Sequence, residues 1–309
     1  MLIEYLSKNM LLDPSYIKSV AVTASKRYKK ATIKKKDGSD RLIFQPSREL
    51  KAMQRVINKD ILCKLPMHAS VYSYKIGTNL RDHILAHKNG NFITRLDFKN
   101  FFNSINKEDV IKFISDNKNF LGTDWNDTDT NLLVMLACFR GTLTIGASTS
   151  PTLSNCICYQ LDNKLSVLCR ELRVVYSRYA DDLYFSTNEP NVLFGMPQQV
   201  IKIVRSIDYP RNLWLNTKKT IHTSKKRLRK VTGLVLTPDG KVSIGRNKKR
   251  EIRSRIHNWD NLEEDARLSL KGYLAFVSSV EPNLINRLCM KFGSDKIYGI
   301  IRYGQIQEP

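Results

Sequence analysis

Asp181 and Asp182 stand side by side in "YSRYADDLYFS" (176–186), flanked by aromatic and aliphatic residues of high strand propensity. Adjacent carboxylates beside apolar runs repel one another unless a cation neutralises them. A third acid, Asp97, closes the apolar run "NFITRLDF" (91–98). A strand-end aspartate and a hairpin-tip pair from distant sequence can meet on adjacent strands. Carboxylate oxygens suit Mg²⁺, which keeps room for substrate phosphates. Two such ions about 3.5–4 Å apart activate an attacking hydroxyl and stabilise the leaving oxygen, which is the chemistry of nucleotidyl transfer. The competing reading of the pair alone is a surface turn with two solvated acids. Asp97 and the basic flanks described below weigh against it.

These acids need strands to hold them. Residues 91–98 predict one strand, and "VVYSRYA" and "LYFS" predict two more around Asp181 and Asp182. Residues 47–65 predict a helix: Ser47 can cap it, and Leu50, Met53, Ile57, Ile61 and Leu65 fall at helical spacing. "SPTLSNCICYQLDNKLSVL" (150–168) predicts a helix capped by Ser150, with Pro151 in its first turn and a stripe of Leu153, Ile157, Leu161, Leu165 and Leu168. A helix near 197–207 follows, then a strand pair around "VTGLVLTPDGKVSIG" turning at Pro238-Asp239-Gly240, then a helix at "LSLKGYLAFVSSV". A strand with one acid, helices, and a hairpin with two acids make an α+β pattern. No internal repeat or low-complexity linker interrupts it.

Length and charge bound the class. The 309 residues are enough for a sizeable core and about two domains. No apolar run approaches the ~20 residues of a membrane span, so no membrane partner is expected. The N-terminus carries Glu4, Lys8 and Asp13 within its apolar pattern, unlike a signal peptide. The six cysteines show no paired C-x-x-C spacing, which favours a reduced, cytoplasmic protein with buried thiols. Lys and Arg number 51 against 29 Asp and Glu, a net charge of +22. Such a surplus repels itself unless a polyanion is the partner, and its clustering favours nucleic acid over an acidic membrane surface. One cluster is Lys218, Lys219, Lys225, Lys226, Arg227, Arg229 and Lys230; another is Arg246, Lys248, Lys249, Arg250, Arg253 and Arg255.

"YADD" between apolar strands, with "LDFKNFF" upstream, resembles the reverse transcriptases. "KKKDGSDRLIFQPSRELKAMQ" (34–54) resembles their fingers segment, and "GASTSPTLSN" (146–155) the loop and helix that support the template and incoming base. "LWLNTKKT" (213–220) and "RKVTGLVL" (229–236) resemble the later palm motifs and the start of the thumb. "VTG" at 231–233, with the basic segment and "GYLAFV" after it, is similar to the bacterial retron reverse transcriptases. The resemblance covers about residues 30–280 and implies a right-hand polymerase with an antiparallel palm sheet and a short helical basic thumb. Residues 1–90 would form N-terminal helices and fingers, 91–225 the palm with a fingers-type insertion around 110–145, and 226–309 the thumb.

The resemblance also implies residue roles. Asp97 and Asp181 would hold two Mg²⁺ ions, with Asp182 and the carbonyl of Phe98 completing the site. Phe102 matches the aromatic gate against a ribose 2′-hydroxyl, although Phe101 and Phe102 also read as core. Lys35 or Lys36, together with Arg41, match residues that clamp the triphosphate of the incoming dNTP; Gly146 opens the base-supporting loop; Lys219 matches a lysine near the leaving pyrophosphate. Each lysine also reads as merely solvated. Arg229, Lys230, Arg246, Lys248, Lys249, Arg250 and Arg253 would bind phosphates, with Thr232 and Gly233 in a strand where small residues permit close backbone approach.

Two departures stand out. Leu143-Thr144-Ile145-Gly146 replaces the usual Leu-Pro-Gln-Gly, so Ile145 removes a glutamine that helps hold the nucleotide. His87 matches a histidine of the family's Asn-Ala-x-x-His, while His83 and Ile84 replace its first two residues; a nucleic-acid role and a local hydrogen bond both remain open for His87. The function implied is RNA-templated DNA synthesis on a dedicated structured non-coding RNA, primed from a 2′-hydroxyl and leaving a branched RNA–DNA hybrid. Phage defence beside a separate effector chain is the implied setting. The rivals are a group II intron-like or diversity-generating reverse transcriptase, and a non-catalytic RNA-binding scaffold.

Overall fold

The computed structural model describes residues 1–34 and 38–304. The expected α+β class holds, built from nine strands in three sheets and the helices around them, among the described residues. Two compact units emerge from the packing: 1–77 with 94–185 and 189–222, and 78–93 with 186–188 and 223–309.

In the first unit, β1 (Tyr28–Lys34) and β2 (Asp40–Pro46) form an antiparallel hairpin with Ile33 opposite Arg41 and Ala31 opposite Ile43. Most of its side chains are exposed. The helix Arg48–Asp60 is capped by Ser47, whose Oγ accepts from the Leu50 N–H, and buries Leu50, Met53 and Ile57. It ends short of the expected residue 65, because the chain tightens into a 3₁₀ turn at Leu62–Lys64 that still buries Leu62.

The sheet that carries the acids runs in the order β4 (Val175–Tyr179), β5 (Asp182–Thr187), β3 (Phe92–Asp97), β6 (Ile221–Ser224). The Phe98 N–H donates to the Asp181 carbonyl at one end of the β3–β5 pair, and the Asn91 N–H to the Asn188 side chain at the other. Numbers rise along one strand as they fall along the other, so the pair is antiparallel. The helix expected over 150–168 is two helices, Ser150–Ile157 and Tyr159–Glu171, broken at Cys158. Thr149 takes the capping position, and the Ser150 hydroxyl accepts from the Thr144 N–H instead. Leu153, Ile157, Leu161 and Leu165 are fully buried; Leu168 is half-buried, and Cys169 is buried in its place.

The second unit holds an antiparallel meander, β7 (Arg229–Val231), β8 (Leu234–Leu236) and β9 (Val242–Ser243). The helices Arg246–His257, Glu264–Val280, Pro282–Phe292 and Ser294–Arg302 follow and pack through Ile252, Ile256, Leu274, Val277, Leu288 and Ile300. The expected turn at Pro238-Asp239-Gly240 joins β8 and β9. Thr232-Gly233, placed in a strand by the sequence reading, is the two-residue turn between β7 and β8. Both residues have left-handed φ, 46° and 85°, as tight hairpin turns demand.

Among the described residues no helix is long and apolar enough to cross a membrane. All six cysteines are free, and four are buried; Cys63 is exposed and Cys289 half-buried, against the expectation of buried thiols throughout.

Candidate active site

Two residues, Ala180 and Asp181, join β4 to β5. Ala180 has φ of 54°, a left-handed conformation that a side chain disfavours. The turn lies at the end of β3, because the Phe98 N–H reaches the Asp181 carbonyl at 3.1 Å. Asp97, 7% exposed, ends β3, and its carbonyl accepts from the Asn216 N–H at 2.7 Å. Its carboxylate meets the ammonium of Lys219 at 3.3 Å. Asp182 meets Arg95 Nε at 3.5 Å and accepts from the Tyr184 hydroxyl at 3.3 Å.

Burial raises the pKa of Asp181, and the neighbouring charge of Asp97 adds to it, against partial relief from Arg41 and Lys219. Asp182 is pushed up to about 6 by burial and by repulsion from Asp181 and Asp97, which Arg95 offsets only in part. Asp181 and Asp182 are therefore held charged at a cost that a cation would relieve. Among the described residues no three His, Cys, Asp or Glu side chains already close around one point as an ion-ligand set. The donor chemistry nonetheless fits a hard divalent cation: carboxylate oxygens from two strands, with main-chain carbonyls beside them.

The other predicted site residues divide. Phe101 is buried against Phe98 and belongs to the core, whereas the Phe102 ring is half-buried and reaches solvent. Phe98 itself is buried, 1% exposed. Arg41 is exposed on β2 and within electrostatic reach of Asp181. Lys35 and Lys36 lie outside the described residues. Gly146 has φ of 113°, and a Cβ there would sit 2.3 Å from the Phe44 carbonyl oxygen, so only glycine lets this loop press on β2. The Phe44 N–H donating to the Ile145 carbonyl at 2.9 Å closes the same contact.

Arg95 escaped the sequence reading, although it stands two residues before Asp97 on one strand face, a period-two signal. Tyr74 also escaped it. Its backbone is left-handed (φ 52°), its ring is half-exposed, and burial, with a smaller contribution from nearby Asp181, raises the pKa of its hydroxyl. No local pattern points to it.

In the second unit, Lys230, Arg246, Lys248, Arg250 and Arg253 are exposed, with Lys248 paired to Glu251 at 2.6 Å. Three expectations need correction. Arg229 is 1% exposed, and its guanidinium donates to the Gly90 and Thr237 carbonyls at 2.6 and 2.7 Å. Lys249 is only 20% exposed and pairs with Glu281 at 2.6 Å. His87 is fully buried, shares a hydrogen bond with the Ser186 hydroxyl at 2.8 Å, and burial lowers its pKa to about 4. Each is internal because its polar atoms meet partners distant in sequence. Thr232 and Gly233 stand half-buried and exposed on their turn.

The family described as reverse transcriptase (RNA-dependent DNA polymerase) matches residues 33–236, which include all three aspartates. The chain is 34% identical over 303 residues to the Retron Ec83 reverse transcriptase of Escherichia coli, covering 94% of this chain and 93% of that protein. It is 31% identical to the Retron Ec86 reverse transcriptase of the same organism, covering 95% and 89%. Among solved structures, telomerase from Candida albicans in complex with a fragment of telomeric RNA aligns with a TM-score of 0.48 at 14% identity, over 94% of this chain and 58% of that one. A reverse transcriptase domain implies a divalent metal ion, RNA and DNA as its working partners. With a family match over most of its length and retron relatives along nearly all of it, the chain belongs to the retron-type reverse transcriptases and is an RNA-directed DNA polymerase.

Proposed function

We propose that this polymerase copies a dedicated structured non-coding RNA, primes from a 2′-hydroxyl within that RNA, and leaves a branched RNA–DNA product. The observation that carries the catalytic part is the crowding of Asp97, Asp181 and Asp182 at the ends of β3 and the β4–β5 hairpin, with Lys219 3.3 Å from Asp97. In this reading Asp97 and Asp181, with Asp182 and the Phe98 carbonyl, hold two Mg²⁺ ions. When bound, magnesium supplies activation of the attacking hydroxyl and stabilisation of the leaving oxygen.

The chain's own groups do the rest. Arg41 and Lys219, with Lys35 and Lys36, neutralise the triphosphate of the incoming dNTP. The loop opened by Gly146 supports the base. Phe102 occupies the space of a 2′-hydroxyl and so excludes ribonucleotides. Residues 1–90, 91–225 and 226–309 serve as fingers, palm and thumb. The exposed cations Lys230, Arg246, Lys248, Arg250 and Arg253 bind phosphates of the RNA and of the growing hybrid. The product serves phage defence together with a separate effector chain.

The test is to purify the protein with its nucleic acid and sequence both strands through the junction. A single RNA species joined to DNA at one internal nucleotide through its 2′-oxygen is expected, and linear DNA extended from RNA 3′ ends overturns the branched reading. In primer extension with the same preparation, Phe102→Val raises ribonucleotide incorporation relative to deoxyribonucleotide; an unchanged ratio removes the gate.

A further inference from the structure

The Ala180–Asp181 turn is strained at its first residue, and something must hold it there. Side chains hold both backbone polar groups of Ala180, one from outside the hairpin and one from β4 itself. Its N–H donates to Ser73 Oγ at 2.8 Å, and its carbonyl accepts from Arg178 Nη1 at 3.2 Å. Asn155 ties these two anchors together: its Oδ1 accepts from Arg178 Nη1 at 3.2 Å, and its Nδ2 donates to the Ser73 carbonyl at 2.7 Å.

Arg178 is in turn fixed by Asp162, which accepts from Nε at 2.8 Å and from Nη2 at 2.7 Å; Tyr176 donates to the same carboxylate at 2.7 Å. Burial works against the guanidinium charge, and Asp162 more than offsets it, so its pKa is raised. The segment carrying Ser73 is itself pinned along β4: the Arg178 N–H donates to the Ser70 carbonyl at 2.8 Å, and the Tyr72 N–H to the Arg178 carbonyl at 3.0 Å. Ser73, Asn155, Asp162 and Arg178 are all buried to within 1% of full exclusion from solvent.

A buried ion pair is weak support for stability, since apolar residues of like volume commonly do as well. Its distinctive property is direction: a bidentate fork allows one arrangement of its partners. Here the fork ends on the peptide that precedes Asp181. We propose that Ser73, with Asn155 and the Asp162–Arg178 pair, is a positioning device that sets the direction of the Asp181 carboxylate for DNA synthesis. It rests on the reading of Asp181 as a metal-holding residue, which Asp181→Asn tests by itself.

Ser73→Thr and Ser73→Val are equal in volume and differ in the hydroxyl that receives the Ala180 N–H. The measurement is single-turnover extension of a DNA primer on an RNA template over a Mg²⁺ series, alongside melting curves and RNA binding. The valine variant is expected to be slower than the threonine variant by about tenfold to a hundredfold, the scale at which small misplacements act. Its half-saturating Mg²⁺ rises, while its RNA affinity and half-saturating dNTP stay at the threonine values. Asn155→Ala, which removes the tie and leaves Ser73 in place, gives the same rise in Mg²⁺ requirement. Equal rates and equal Mg²⁺ dependence for threonine and valine overturn the proposal, as does a loss that merely follows melting temperature. Full synthesis by Asp181→Asn overturns the metal reading, and the positioning role with it.

Discussion

The acid turn and the basic stretch from Arg229 to Arg253 are both dense in charge, and they hold it differently. At the turn, two of the three acids have a cation facing them, Lys219 at Asp97 and Arg95 at Asp182, and Ala180 beside them keeps a strained backbone. In the basic stretch the charges split. Arg229 and Lys249 serve the interior, while Lys230, Arg246, Arg250 and Arg253 remain exposed. Chemistry at a reacting phosphorus needs atoms in fixed directions, whereas neutralising a phosphate backbone needs only charge within reach of it. A count of charges therefore overstates a binding surface and understates a catalytic one.

The sharpest way to break this contrast is at the acids. Asp181→Asn with Asp182→Asn should lower Mg²⁺-dependent DNA synthesis by at least about a thousandfold, since charge stabilisation of the transition state is lost. RNA affinity should stay within about twofold, because it comes from Lys and Arg. Wild-type extension rates in the double variant would sink the assignment.

Next in size is the interior arginine. Arg229→Met should destabilise the protein by roughly 2–3 kcal/mol, because the Gly90 and Thr237 carbonyls lose their donor in a buried site. The slope of RNA affinity against salt should not change. A flatter slope at wild-type stability would place Arg229 on phosphate after all.

Asp182 supplies a pH signature for the metal-free protein. It keeps its proton up to about pH 6 when folded, whereas an unfolded aspartate releases it near ~3.9. Between those values the folded state binds the extra proton. The stabilisation is therefore complete below about pH 4 and is lost as pH rises through 6, by up to roughly 3 kcal/mol. Melting curves in chelator from acid to neutral pH should show a steeper fall for wild type than for Asp182→Asn. Parallel curves would mean that Asp182 is not held in the raised state.

The smallest effect separates exposed from internal cations. Arg250→Ala with Arg253→Ala should flatten the salt dependence by up to roughly one unit of slope per lost phosphate contact. Lys249→Ala should leave the slope alone and lower stability, since Glu281 also accepts from Arg287 and the Ile244 N–H and loses one of its cations. Equal slopes for both variants would erase the distinction.

Much of the frame was legible in the sequence. Strands, helices and turns follow from period-two and helical spacing, from Ser47 as a cap and from Pro238-Asp239-Gly240 as a turn, all local properties of the chain. The three aspartates could be picked out because apolar strands rarely end in carboxylates without a reason. Partner choice was not legible. The Arg229 guanidinium reaches Gly90 across 139 residues, Ala180 reaches Ser73 across 107, and His87 reaches Ser186 across 99. A lysine or arginine looks the same in a sequence whether it meets water, a carbonyl or a carboxylate. Its side-chain type determined that it carries charge; the packing of distant segments decided whether that charge faces solvent or is buried in hydrogen bonds, because burial is a property of the assembled surface and not of the chain.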